Sequence, residues 1–382
     1  MVKFEISGPD RILFGFGTAE QVPELVREWG DHLCVVTGRH PERYDALLEG
    51  CRRVMKSVAV VSVGEEPSVE LVLEALDKAR VFGASVLLGL GGGSALDTAK
   101  AVAGLAVNPG DPFGYLEVVG AGKPLPHRAL PWIAVPTTAG SGAEVTRNAV
   151  LASREHRVKV SLRSDRLFAR TVVVDPLLTV SNPPHVTAWS GMDALVQVTE
   201  PLFSTRRNPF ADGLCREALT RAAWALSAAF REGTNLEARE AMCIVSLFGG
   251  IALTQAGLGA VHGLAGPLGG MVEAPHGALC ARLLPAVCRV NFGRVLQQRD
   301  EDLISRFSRL GELLTGVRSG EAALEWIEER VRELEIPRLR TWGFREDWIP
   351  DLVERAMRAG SMKTNPVPLR PEDVETIIRE SL

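Results

Sequence analysis

SVLLGLGGGSALDTAK, residues 85–100, is the stretch on which the fold turns. Ser85-Val86-Leu87-Leu88-Gly89-Leu90 is a short apolar run of the kind buried on both faces of a parallel sheet. It leads directly into Gly91-Gly92-Gly93 and then into a helical segment. Glycines let a backbone approach a pyrophosphate closely, and the free N–H groups and dipole of a helix's first turn favour its negative charge. Gly91, Gly92, Gly93 and Ser94 are therefore candidate phosphate-binding residues. The same turn also reads as a tight strand-to-helix connection capped by Ser94. It is neither a GxGxxG at a first βα turn nor a Walker A sequence.

Four further runs read as buried strands: His32–Thr37, Val58–Val63, Trp132–Val135 and Thr171–Val174. Helical segments lie between them, as in 68–82, where Val69, Val72, Leu73, Leu76 and Ala79 recur at helical spacing. The crossovers are long enough for parallel pairing. From about Val186 onward the pattern is almost wholly helical. The sequence thus predicts an α/β domain over 1–180 followed by an all-helical domain over 181–382. Another small-residue stretch, Pro136–Thr146, follows the Trp132 strand with Thr137, Thr138, Gly140, Ser141 and Gly142. It suits wrapping a nucleotide from the other side, or is simply a loop; two such stretches at consecutive strand ends sit where open α/β sheets bind ligands.

Composition narrows the function. The 382 residues are 46% hydrophobic and 24% charged, with 43 basic and 47 acidic residues for a net charge of −4. That is a folded globular chain without a basic footprint for nucleic acid or an anionic membrane. The opening residues 1–17 lack a signal-peptide pattern, which predicts a cytoplasmic location. Six cysteines without a CxxC motif, mostly inside apolar stretches, read as reduced core thiols rather than staples or zinc ligands. About 36 of the 43 basic residues are Arg, a bias that fits heat adaptation or high genomic GC.

The second half holds two polar clusters. Asp193 and Gln197 are four residues apart, on one face if the segment is helical. His262 and His276 each precede a glycine, on either side of Gly266–Gly270. One carboxylate and two imidazoles form a donor set suited to Zn²⁺ or Fe²⁺. Each histidine alone reads equally as a hydrogen-bonded helix-end residue.

Taken in order, Gly15-Phe16-Gly17, GGGSALDTAK at 91–100, PTTAGSGAEVT at 136–146, Asp175-Pro176, GMDAL at 191–195, VHGLAGPLGG at 261–270 and PHG at 275–277 resemble the iron-containing alcohol dehydrogenase family across essentially the whole chain. That superfamily also holds glycerol dehydrogenase and dehydroquinate synthase. The resemblance implies that 1–180 is a dinucleotide-binding domain and 181–382 an all-helical metal and substrate domain, with a nucleotide held by the 91–94 turn, Asp97 and Thr137-Thr138 lining its site and Lys159 near the cofactor. It carries the metal ligands over to Asp193, His262 and His276. The implied reaction is reversible hydride transfer between nicotinamide and a small alcohol or carbonyl compound, with the metal as Lewis acid.

Three departures qualify that picture. Where many members have Val-Thr-Asp, this chain has Val36-Thr37-Gly38-Arg39. Loss of the carboxylate and gain of a cation favour NADP over NAD, although Arg39 also reads as a solvated loop residue. Gln197 stands where iron-dependent members usually have His, and a neutral amide is a poorer ligand, so the site shifts towards zinc or towards a metal-independent reductase like maleylacetate reductase. Gly266 replaces a histidine that is a candidate proton carrier in several members, which leaves a water, a ribose hydroxyl or His276 to move the proton. A dehydroquinate synthase-type lyase needs more basic residues in its site, and a nucleotide-binding scaffold without turnover is the non-enzymatic alternative. The expected assembly is the commonest closed one, a homodimer.

Overall fold

The computed structural model describes residues 3–64, 66–153, 155–156 and 158–382. The chain divides into two compact units. Ser7–Thr138 with Gly142–Thr179 forms the first; Val180–Leu382, with residues 139–141 and the N-terminal residues up to Ile6, forms the second.

In chain order the first unit contains β1 (Arg11–Phe14), α1 (Val22–Arg27), β2 (His32–Thr37), α2 (Asp45–Val54), β3 (Ser57–Ser62), α3 (Val69–Phe82), β4 (Val86–Gly91), α4 (Gly93–Ala106), β5 (Trp132–Pro136), β6 (Asn148–Ser153), β7 (Val158–Arg163) and β8 (Thr171–Val174). Among the described residues, six strands form a sheet in the order β1-β8-β5-β4-β2-β3, and every neighbouring pair is parallel. The central strands are the aliphatic runs because helices cover both faces: β4 and β5 are buried along their whole length. Ser68 starts α3 by accepting a hydrogen bond from Leu71 N (3.2 Å).

Three strands lie outside the expected set. β1 is a four-residue edge strand, half exposed, so it carries no aliphatic run. β6 and β7 form a separate antiparallel hairpin whose residues alternate between buried and less buried positions. Their polar positions hide them from a search for continuous apolar runs.

The strand order reverses direction once in the sheet. β3 lies outside β2 on one side, whereas β4 and β5 step away on the other, so the connections diverge at the β2/β4 boundary. Ligands bind outside the carboxyl ends of strands at such a reversal. The register aligns Thr37 with Leu90, and Gly91 with Pro136, which brings Gly38, Gly92 and Thr137 to the same edge.

The second unit is helical: α5 (Pro184–Phe203), α6 (Pro209–Arg231), α7 (Leu236–Ala256), α8 (Ala260–Leu268), α9 (His276–Gln298), α10 (Glu301–Thr315), α11 (Gly320–Glu333), α12 (Ile349–Arg358) and α13 (Pro371–Ser381). α5 packs against α6, α7 and α9 at its centre, and Gly191–Phe203 is buried throughout. An apolar core surrounds it. Polar side chains in such a helix cost stability unless something serves them, so its few buried polar residues mark the site. No single helix among the described residues is long and apolar enough to cross a membrane.

Candidate metal centre and nucleotide turn

α5 carries Asp193, Gln197 and Glu200 at i, i+4 and i+7, one stripe of the helix, and all three are buried. His262 comes from the first turn of α8, while His276 opens α9 and Cys280 follows one turn later. The approach of α9 to α5 depends on Gly277. A Cβ there would fall 2.3 Å from the Trp189 carbonyl oxygen and 3.3 Å from Asp193 Cβ, so only glycine lets His276 start a helix beside Asp193.

One donor atom from each of Asp193, His262, His276 and Cys280 lies within 4.8 Å of the others. His262 Nε2 is 3.6 Å from Asp193 Oδ1, an ionic contact too long for a good hydrogen bond. On the opposite side of the ring, His262 Nδ1 donates to Glu200 Oε2 at 2.7 Å, and Val261 N donates to Glu200 Oε1 at 2.7 Å. A carboxylate behind a histidine fixes the tautomer that turns Nε2 inward, as in carboxylate–histidine–metal arrangements.

Burial works against the ionised Asp193 carboxyl, but His262 and His276 outweigh it and hold the group below its ordinary value. Burial also disfavours a charged His262, yet Cys280, Glu200 and Asp193 together raise its pKa well above normal. The pocket therefore favours positive charge, the demand a divalent cation meets. Burial pushes the Cys280 thiol up to about 12.

Asp193 Oδ1 and Gln197 Oε1 are buried without a hydrogen-bond partner among the described residues. Each such orphan costs about 1–3 kcal/mol. A cation beside Asp193 removes that cost. The orphaned carboxylate oxygen, the converging N, O and S donors and the supporting Glu200 all fit a divalent metal.

In the first unit, β4 runs into α4 through the glycine turn. A Cβ on Gly91 would sit 2.7 Å from Ala95 Cβ and 3.4 Å from Gly38 N, which makes glycine necessary there. Thr137 N donates to Gly91 O at 2.9 Å, and the Thr138 hydroxyl lies against Gly92. α4 begins at Gly93 with Gly92 as its N-cap residue and no side-chain cap. Ser94 thus does not cap the helix; it stands in the first turn, where its carbonyl accepts from Thr98 Oγ1 at 2.8 Å. The first-turn N–H groups stay available to an anion. At the neighbouring strand end, the Thr37 hydroxyl is buried and lacks a hydrogen-bond partner among the described residues.

The other expected residues have partners within the protein. Asp97 spends both oxygens on the fold: Oδ1 on Lys100 Nζ (3.0 Å) and Oδ2 on Val150 N (3.0 Å). The fully buried Lys100 also donates to Thr146 Oγ1 (2.9 Å) and Asn148 O (2.7 Å). The pair anchors the β6–β7 hairpin. Lys159, on β7, holds its ammonium 2.7 Å from Glu66 Oε2. Arg39 is exposed and donates from Nη2 to Gly64 O. Ser141 groups with the helical unit rather than with the glycine turn.

Sequence reading missed Glu200, Cys280 and Glu66. The i, i+4, i+7 polar stripe on α5 was a usable signal for Glu200. The spacing of Cys280, four residues after His276, was another. All six are free and buried, but Cys280 also faces three metal-type donors.

The model of the iron-containing alcohol dehydrogenase family matches residues 9–176, and that of the family's C-terminal domain matches 187–382. Long-chain-alcohol dehydrogenase 1 of Geobacillus thermodenitrificans is 35% identical over 95% of this chain and 93% of its own length. The 1,3-propanediol dehydrogenase of Klebsiella pneumoniae is 35% identical over 78% of this chain and 76% of its own. Among solved structures, a 1,3-propanediol oxidoreductase matches at a TM-score of 0.92 and 31% identity, covering 100% of both chains. A parallel nucleotide-type sheet followed by a helical unit is the architecture these relatives share, and the chain belongs to the iron-containing alcohol dehydrogenase family, as an NAD(P)-dependent oxidoreductase acting on CH–OH groups.

Proposed function

We propose that this chain is a metal-assisted dehydrogenase that prefers NADP(H), interconverts a small alcohol and its aldehyde or ketone, and holds its divalent metal through Asp193, His262 and His276. The observation that carries this reading is the buried Asp193 Oδ1, without a hydrogen-bond partner among the described residues and 3.6 Å from His262 Nε2. A metal-free reductase would leave that oxygen unserved.

When bound, the metal supplies Lewis-acid polarisation of the substrate oxygen and the nicotinamide supplies the hydride donor or acceptor. The protein's part is position and field. Asp193 and the two imidazoles hold the cation; Glu200 keeps His262 in the tautomer that presents Nε2. The glycine turn and the first-turn N–H groups of α4 bind the pyrophosphate. With His276 committed to the cation and no imidazole at position 266, a water or a ribose hydroxyl is left to move the proton.

The NADP preference is supported by the strand end after β2. No carboxylate stands at Gly38 to repel a 2′-phosphate, and the hydrogen bond to Gly64 O holds the Arg39 guanidinium next to the β3–α3 connection. Zinc is the favoured ion because a glutamine replaces an imidazole at 197. Metal analysis and steady-state kinetics of Asp193→Ala test the core of the proposal. The expected result is loss of bound metal together with turnover; wild-type turnover after chelation would refute it.

A further inference from the structure

We propose that Cys280 is the fourth protein ligand of the metal, completing an Asp193, His262, His276, Cys280 set in which Gln197 takes no part. The inference rests on the three-ligand reading above and adds a donor to it.

Geometry carries it. Among the described residues, these four side chains are the group of metal-type donors that converges within 4.8 Å. Cys280 Sγ lies 3.5 Å from His276 Nε2. A tetrahedral ion with N and S ligands at 2.0–2.1 and 2.3 Å sets those two atoms about 3.6 Å apart. The separation of His262 Nε2 and Asp193 Oδ1, 3.6 Å, is of the same kind. An S–H to imidazole hydrogen bond alone would account for the first distance, but it would leave Asp193 Oδ1 unserved.

The two α9 ligands are four residues apart, so one face of one helix presents both. Cys280 is fully buried beside them, and a thiolate there is a far stronger donor to Zn²⁺ than the neutral amide of Gln197. As the metal binds, the thiol gives its proton to solvent and the sulfur lone pair forms the metal bond. Four protein donors leave expansion to five-coordination as the way to admit a further ligand.

Cobalt(II) substitution of the full-length chain tests this without relying on turnover. The expected result is one Co²⁺ per chain with a thiolate-to-cobalt charge-transfer band in the near ultraviolet. The band should vanish in Cys280→Ser and persist in Gln197→Ala, and Cys280→Ser should weaken zinc binding on the order of 100-fold in chelator competition. Should Cys280→Ser fail to fold, the band in the native chain and zinc-dependent protection of Cys280 from alkylation, mapped by mass spectrometry, give the same reading. Stoichiometric Co²⁺ with no thiolate band, or a band that survives in Cys280→Ser, overturns the Cys280 ligand and leaves the three-ligand site standing. Absence of any stoichiometric divalent ion overturns both.

Discussion

Glu200 accepts a hydrogen bond from His262 Nδ1 at 2.7 Å while its other oxygen accepts one from the Val261 backbone N–H at 2.7 Å. Both carboxylate oxygens are thus committed to the start of α8, and the imidazole cannot rotate without breaking a buried charge-assisted bond. Glu200→Gln keeps the shape and the bond from Val261 N, but its amide N–H now faces His262 Nδ1 and selects the tautomer that carries its proton on Nε2. The expected result is about 10- to 100-fold weaker metal binding with little change in the unfolding midpoint. Chelator competition and a urea melt read the two effects separately; unchanged affinity would remove Glu200 from the positioning role.

Cofactor choice should follow the end of β2. Restoring a carboxylate with Gly38→Asp places negative charge where a 2′-phosphate would lie. Arg39→Ala removes a guanidinium capable of charge-assisted hydrogen bonds, each worth roughly 1.5–3 kcal/mol. Either change should lower kcat/KM for NADPH by about 10- to 100-fold and leave that for NADH nearly constant. Equal losses with both cofactors would show that Arg39 only braces the Gly64 loop.

Much of this architecture was readable before any coordinates. The strands at His32, Trp132 and Thr171 are continuous aliphatic runs because both sheet faces are covered, and burial then dictates residue type without ambiguity. The β6–β7 hairpin was not readable, since its polar positions follow from a local pairing held by Asp97 and Lys100. For the same reason the ties of Asp97 to Lys100 and Val150 were not readable: a motif shows that a carboxylate is required, not what it touches. Asp193, His262 and His276 were legible as a set of types. Glu200 and Cys280 left only their helical spacing as a signal, which structural carboxylates and buried thiols share, so three-dimensional proximity was needed to single them out.

Glu144 supplies a pH prediction. It is buried, and burial above all raises its pKa to about 7, with Lys100 opposing and Asp97 reinforcing the shift. An acid whose folded pKa exceeds its unfolded value of 4.5 binds a proton more tightly when folded. Its contribution to stability is complete below the unfolded pKa and is lost as pH rises through the folded one. Glu144→Gln should therefore flatten the stability profile between about pH 4.5 and 8, gaining on the order of 2–4 kcal/mol over wild type at the alkaline end. Urea midpoints across that range measure it, and a constant difference between the two proteins would contradict the burial account.

The junction of α5 and α9 offers the sharpest separation of shape from ligand chemistry. Gly277 bears no functional group, yet a single methyl there would meet the Trp189 carbonyl at 2.3 Å and Asp193 Cβ at 3.3 Å. Backbone cannot yield at 2.3 Å as the tip of a flexible side chain can, so Gly277→Ala must push the first turn of α9 away from α5. Overpacking of this kind typically costs about 1–3 kcal/mol. His276 is the residue next to the displaced glycine, so its imidazole moves away from Asp193 with the backbone. Gly277→Ala should therefore lower metal occupancy and turnover together while every ligand side chain is still present. Metal content and kcat measured on folded variant protein decide it: full occupancy with normal kcat would mean that α9 can adopt its approach to α5 without glycine.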